Sequence, residues 1–313
     1  MKKWGWLIAV VSIVFLMTAC NSESSNEKEE SSEGQYKVGM TQLVEHPSLN
    51  AASEGFKKAF EDAGVDVAFV EQNAQNDHSL NATIANNFVS DQVDLIFANS
   101  TPSAQAVANE TTEIPIVFTS VTDAEAAQLV ESHEAPGRNV TGTLDNHPEA
   151  IEKAVTYVVE ELDAKKIGMI FNSGEQNSRA QVDEAKKQAE ALGAEVVEAS
   201  VSASSEVQQA AESLVGKVDA FYIITDNTVV SAMESVISVA NDHQLPLMAG
   251  EVDSVERGAL AAYGFDFYDI GYQAGEMAVD ILVNGKDPAT MPVEAPKKLE
   301  LVVNEETKAL LEE

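Results

Sequence analysis

Short runs rich in β-branched residues alternate along this chain with longer stretches in which apolar side chains recur every three or four positions. The runs at 36–41, 65–70, 93–98 and 114–119 predict strands, and the stretches at 48–63, 79–90 and 102–111 predict helices. In 48–63 the side chains of Leu49, Ala52, Phe56, Ala59, Phe60 and Ala63 fall on one helical face, and Gly64 supplies a stop. Strands and helices alternating in this way predict a parallel sheet covered by helices on both faces.

The pattern then repeats. Ala63-Gly64-Val65-Asp66-Val67 is echoed by Leu192-Gly193-Ala194-Glu195-Val196, Val93-Asp94-Leu95-Ile96 by Val218-Asp219-Ala220-Phe221, and Ile114-Pro115-Ile116-Val117 by Leu245-Pro246-Leu247-Met248. Each echo is weak alone, but three in order, about 130 residues apart, predict two similar α/β lobes. The fold class expected is α/β, two doubly wound parallel-sheet lobes joined by a multi-strand hinge. The boundary falls near 140–148. A further strand at 259–264, a helix at 267–283 closed by Asn284-Gly285 and a last strand at 299–303 exceed what the second lobe needs, so they are expected to cross back and return. The division expected is 35–144 plus about 260–288 for the first lobe and 145–259 plus about 289–313 for the second.

The first residues read as an address. Lys2 and Lys3 precede an apolar run from Trp4 to Met17, long enough for a secretory signal and short for a membrane span. Met17-Thr18-Ala19-Cys20 resembles a bacterial lipobox, with Met17 where Leu is usual, so residues 1–20 are expected to be a lipoprotein signal and Cys20 the lipidated residue. Residues 21–34, Ser- and Glu-rich without an aliphatic side chain, are expected to form a solvated tether. The chain of 313 residues has 52 Asp and Glu against 19 Lys and Arg, a formal charge of −33. Such an acidic surface argues against nucleic-acid binding. One cysteine excludes a disulfide framework, and five scattered histidines give no metal-binding spacing.

Ligands of open parallel sheets bind outside the carboxyl ends of the strands. The loops there are expected to carry function: 42–47, 73–78, 99–102 and 119–123 in the first lobe, 172–178, 225–228 and 250–253 in the second. They are dense in hydroxyl, amide and carboxylate groups, although the same residues serve as ordinary helix N-caps. Ser100-Thr101-Pro102, opening a helix with Pro102 in the first turn, suits a ligand carboxylate. Asp226 or Glu175 could meet an ammonium, and Ser173 and Asn177 could add hydrogen bonds. Glu251 and Asp253, two apart in a chain this acidic, read as solvated surface. No GxSxG elbow, P-loop lysine motif or GxGxxG is present, so an enzyme is not expected and no cofactor or metal is assigned.

Several of these stretches together resemble one family. They are Gln42…Glu45-His46-Pro47, Asn73-Ala74-Gln75, Asp94-Leu95-Ile96…Thr101-Pro102, Val121-Thr122-Asp123, 136–142 (PGRNVTG), Asn172-Ser173-Gly174-Glu175-Gln176-Asn177-Ser178, Thr225-Asp226-Asn227-Thr228 and Tyr263-Gly264. The family is that of the TrpX-like substrate-binding lipoproteins of ABC importers, and the resemblance covers 36–303. It implies a type I periplasmic-binding-protein fold, an ABC permease and separate ATPase subunits as partners, and an aromatic amino acid such as tryptophan or phenylalanine as ligand. Nucleoside, sugar and non-transport sensing remain alternatives. For an amino acid, Phe171, Tyr263 and His46 could flank the ring, Tyr263 being equally suited to a core near the hinge. A monomer anchored on the outer face of a bacterial membrane is expected.

Overall fold

The structure, a computed structural model, describes residues 36–312. The expected signal, Cys20 and the tether lie outside the described residues. The first lobe is built on β1 (Tyr36–Gln42), β2 (Val67–Asn73), β3 (Leu95–Asn99), β4 (Ile116–Val121) and β5 (Val140–Leu144), connected by α1 (Pro47–Ala63), α2 (His78–Ser90) and α3 (Thr101–Glu110). All are parallel, in the order β2-β1-β3-β4-β5. The second lobe contains β6 (Lys166–Asn172), β7 (Glu195–Val201), β8 (Ala220–Ile223), β9 (Leu247–Ala249), β10 (Ala261–Gly264) and β11 (Glu300–Val303). With them are α4 (Ala150–Thr156), α5 (Gln176–Ala191), α6 (Val207–Leu214), α7 (Asn227–Val230), α8 (Met233–Asp242) and α9 (Asp253–Arg257); α10 (Phe267–Asn284) and α11 (Glu305–Leu311) follow.

The second sheet runs β11-β10-β9-β8-β6-β7, parallel except for β11 against β10. Without β11 its order is that of the first sheet, and the three sequence echoes mark the equivalent pairs β2 and β7, β3 and β8, β4 and β9. This symmetry corrects one assignment. Strand 261–264 occupies the place that β5 holds in the first sheet, so it belongs to the second lobe, not the first. The return stretch is corrected too. Thr141 Oγ1 donates to the Met291 carbonyl at 2.8 Å, Thr143 bridges to Glu294, and Val293 and Ala295 pack on the first lobe's core, so residues 291–295 stay with the first lobe.

Each sheet is covered on both faces. In the first lobe Ile84, Phe88, Val107 and Phe118 form one core, and Phe56, Phe60, Phe97, Met277 and Ile281 the other. Phe56 stacks on Phe97 with ring centroids 3.9 Å apart. The second core needs α10, which returns from the far lobe to lie on α1. Glycines allow the approach: a Cβ at Gly55 would collide with backbone of Tyr268, and one at Gly271 with backbone of Ala52. The chain therefore passes between lobes three times, after β5, after β10 and before β11. β2 begins two residues later than its apolar run because Gly64, at φ 66°, and the Val65 N–H to Phe60 carbonyl bond still belong to the end of α1.

Candidate functional site: the seam between the lobes

Side-chain hydrogen bonds between the lobes join loops that follow strand carboxyl ends. Asn76, after β2, donates through Nδ2 to Thr228 Oγ1, after β8, at 3.0 Å. Ser48 at the start of α1 donates to Glu251 Oε2, after β9, at 3.1 Å. Gln181 of α5 donates through Nε2 to Thr122 Oγ1, after β4, at 3.3 Å. His46, the N-cap of α1, accepts from the Leu49 N–H, and Asn227 of the second lobe is within hydrogen-bonding reach of it. Burial, and then the charge of Arg257 across the seam, depress the His46 pKa to about 3, so its ring is neutral.

On the first-lobe side, two serines have unusual backbones, Ser100 just after β3 and Ser120 one residue before the end of β4. Ser100 has φ 111° and Ser120 φ 56°, regions that cost a non-glycine residue about 1 kcal/mol or more. Ser100 caps α3, its Oγ accepting from the Ser103 N–H. The hydroxyls of Thr101 and Ser120 are buried and bond nothing. Unpartnered buried hydroxyls beside a helix N-terminus form a place where an anionic group would gain hydrogen bonds and a favourable dipole.

The second-lobe side is a closed network. Asp226 caps α7, its Oδ1 accepting from the Val229 N–H at 2.8 Å, while Oδ2 accepts from the Asn172 N–H and the Ser178 hydroxyl, both at 2.6 Å. Glu175 accepts from Asn227 Nδ2 at 2.5 Å, and from the Thr228 N–H and hydroxyl. Asn172 Nδ2 adds a bond to Thr228 Oγ1 at 2.9 Å. Burial raises both carboxylates, and the Glu175 charge raises Asp226 further, to about 7. Both oxygens of each acid accept hydrogen bonds within the protein. Asn177 is different: its Nδ2 bonds the Thr225 carbonyl at 3.3 Å, and its buried Oδ1 has no partner.

Of the loop residues picked out by sequence, the structure brings His46, Asn172, Glu175, Asn177, Ser178, Asp226, Asn227 and Thr228 to the seam's network, with Ser100 and Thr101 at the end of β3. It turns others elsewhere. Gln42 bonds Asn50, Ser53 and the Val44 carbonyl within its own lobe, and with the exposed Glu45 lines a 370 Å³ groove between α1 and β2. Asp123 accepts from the N–H groups of Glu125 and Ala126 and lies near His133. Ser173 is exposed. Phe171 is a core residue, packed among Val155, Met169 and Val182 with the Arg179 guanidinium 4.7 Å above its ring. Tyr263 packs edge-on against Tyr157, the core role. Neither ring belongs to the seam's hydrogen-bonded network.

Sequence reasoning missed Ser48, Asn76, Ser120, Thr122, Asp145, Gln181 and Thr225 as individual residues. Glu251 is buried, accepting from Ser48 and from the Ser254 N–H and hydroxyl, which corrects its reading as solvated surface. Among the described residues no group of three or more His, Cys, Asp and Glu comes together to hold a metal, and no helix is long and apolar enough to cross a membrane.

Comparison with known proteins fits this geometry. Residues 37–312 match the model of the ABC transporter substrate-binding protein family, and the chain belongs to that family; its two lobes have the type I periplasmic-binding-protein fold. The tyrosine-binding protein of Clostridioides difficile is 46% identical over 98% of this chain and 91% of its own length. An ABC domain from Streptococcus pneumonia solved in complex with L-Trp is 31% identical, with a TM-score of 0.85 over 89% of this chain and 95% of that one. The ligand-free, open structure of a substrate-binding protein with adhesive properties from Clostridium difficile is 44% identical over 88% and 95%, yet its TM-score is 0.66. The less identical, ligand-bound protein superposes better, as expected of a chain whose lobes are joined across the seam by hydrogen bonds.

Proposed function

We propose that this protein is the lipid-anchored receptor of an ABC importer and that it captures an aromatic amino acid, tyrosine or tryptophan, between its lobes. The carrying observation is the pair of buried, unbonded hydroxyls on Thr101, the first residue of α3, and Ser120, near the end of the adjoining strand β4. They offer a carboxylate what water would otherwise supply. The unbonded Asn177 Oδ1 opposite offers an acceptor for the ammonium, within the field of Asp226 and Glu175. The tyrosine-binding relative and the neighbour with bound L-Trp support the ligand class. Cys20 carries the lipid, and a membrane permease with separate ATPase subunits takes the ligand on.

The test is calorimetric titration of the protein, refolded free of carried-over ligand, with L-tyrosine, L-tryptophan and L-phenylalanine beside ribose and adenosine. Micromolar or tighter binding of an aromatic amino acid is the expected result. Binding of ribose or adenosine alone overturns the ligand. Cys20→Ala is expected to move the protein from the membrane to the soluble fraction of its host, and retention at the membrane overturns the anchor.

A further inference from the structure

Asp145, the first residue after β5, lies where the chain leaves the first lobe, and it is buried. Its Oδ1 accepts from the Thr122 hydroxyl of the first lobe at 3.0 Å, and its N–H donates to the Val121 carbonyl at 3.0 Å. The Thr225 hydroxyl of the second lobe also reaches its carboxyl. Thr225 Oγ1 donates to Gln181 Oε1 at 3.0 Å, and Gln181 Nε2 donates back to Thr122 Oγ1 at 3.3 Å. Asp145, Thr225, Gln181 and Thr122 thus form a ring with two members from each lobe, and separating the lobes breaks it.

Counting donors shows what the ring requires. The one Thr225 hydroxyl proton is used on Gln181, and the Thr122 proton is used on Asp145. A carboxyl proton on Asp145 lets it donate to Thr225 Oγ1, so that all four groups donate once around the ring. Among the described residues no cation answers the ionised form. Thr122 and Gln181 are neutral, Asp123 turns to its own turn and His133, and the Asp226 carboxylate is taken by Asn172, Ser178 and Val229. Glu294, beside β5, is bonded to Gln273 and paired with Lys297. His147, two residues on, uses Nδ1 to accept from the Glu149 N–H.

From this ring we infer that Asp145 is a positioning residue that clamps the lobes when it carries a proton, so that closure on the ligand takes a proton up. Burial, opposed by its hydrogen bonds, raises its pKa to about 6 in the closed form, in line with the geometry. With the lobes apart, water reaches the carboxyl and it returns to its ordinary range. The sign follows. Closure is most favoured below about pH 4 and loses that advantage as pH rises to about 6, so affinity is about tenfold weaker at pH 7.5 than at pH 5. Asp226 and Glu175, whose hydrogen bonds lie within the second lobe, are the same in the two proteins compared below, so their contribution cancels.

The experiment compares the full chain with Asp145→Asn at pH 5 and pH 7.5, by L-tyrosine titration and by small-angle scattering without ligand. The amide imitates the protonated acid, so Asp145→Asn is expected to bind L-tyrosine about a hundredfold more tightly than the parent at pH 7.5, the full span between the open and closed pKa values, and to lose most of the pH response. Without ligand, the parent is expected to be more compact at pH 5 and the variant equally compact at both. Glu251, facing Ser48 across the seam with Asp253 and Arg257 nearby, is unchanged in both proteins and cancels. Equal pH responses in the two proteins, or weaker binding by the variant at pH 7.5, overturn the inference. The probe rests on the amino-acid reading. If L-tyrosine binds neither protein at either pH, that reading fails and the scattering alone decides the clamp.

Discussion

Ser120 holds a left-handed backbone with a buried hydroxyl that bonds nothing, so within the protein alone it is all cost. Ser120→Gly is expected to stabilise the fold by about 1 kcal/mol in urea denaturation while weakening ligand binding several-fold; a variant that binds as well as the parent removes the hydroxyl from the ligand's contacts. Asp226 is the reverse case. Asp226→Ala strands the Asn172 and Val229 N–H groups and the Ser178 hydroxyl, and is expected to cost about 2–3 kcal/mol of stability. A folded, fully stable Asp226→Ala protein without ligand affinity would instead make the acid a direct ligand contact. The sequence shows why such roles are hard to read. TDNT and NSGEQNS have the composition of helix caps and of ligand loops alike, and which lone pairs remain free depends on the partners that folding brings, as Asn172 and Ser178 come to Asp226.

At the scale of elements the periodicity was decisive. Strands β1 to β4 and helices α1 to α3 lie where the alternation of apolar runs puts them, and the echoes pair equivalent strands; β5 falls in the stretch read as the boundary between lobes. What periodicity could not tell was partnership. The 259–264 run reads the same in either sheet, and α10 is amphipathic whichever α1-like surface it covers. The glycines were the missing signal: Gly55, Gly271 and Gly275 sit where α1 and α10 approach too closely for a Cβ. Gly271→Ala is therefore expected to force the helices apart and cost about 3 kcal/mol, read as a lowered urea midpoint. Ala at Gly193, a left-handed position with open space around it, serves as a control for backbone strain without collision.

Across the whole molecule, buried acids and one buried histidine set an unusual pH balance. Asp145 and Asp226 are raised to about 6 and about 7, and Glu175 and Glu251 are raised as well, all by burial first. Folding favours their neutral forms, so the stability they contribute is complete below the ordinary carboxylate range and lost as pH rises, for the two aspartates through 6 and 7. His46, depressed to about 3, contributes stability that is complete above about pH 6.5 and lost as pH falls. Above pH 6.5 only the acids still change, and the melting temperature is expected to be higher at pH 6.5 than at pH 8. The opposite order would mean that these acids are ionised in the folded protein. Added salt should raise the melting temperature at pH 8 by screening a chain of charge −33.

The third feature at this scale is the order in which the chain completes its parts. The first lobe's α1 face waits for α10, and β10 waits for β11, which is made last of all the strands. During synthesis, then, neither half can finish early: a nascent chain stopped at residue 264 holds two incomplete cores rather than one finished domain and one pending. The last fifty residues decide whether anything folds, and a chain still lacking them remains open to chaperones and to threading through a narrow channel.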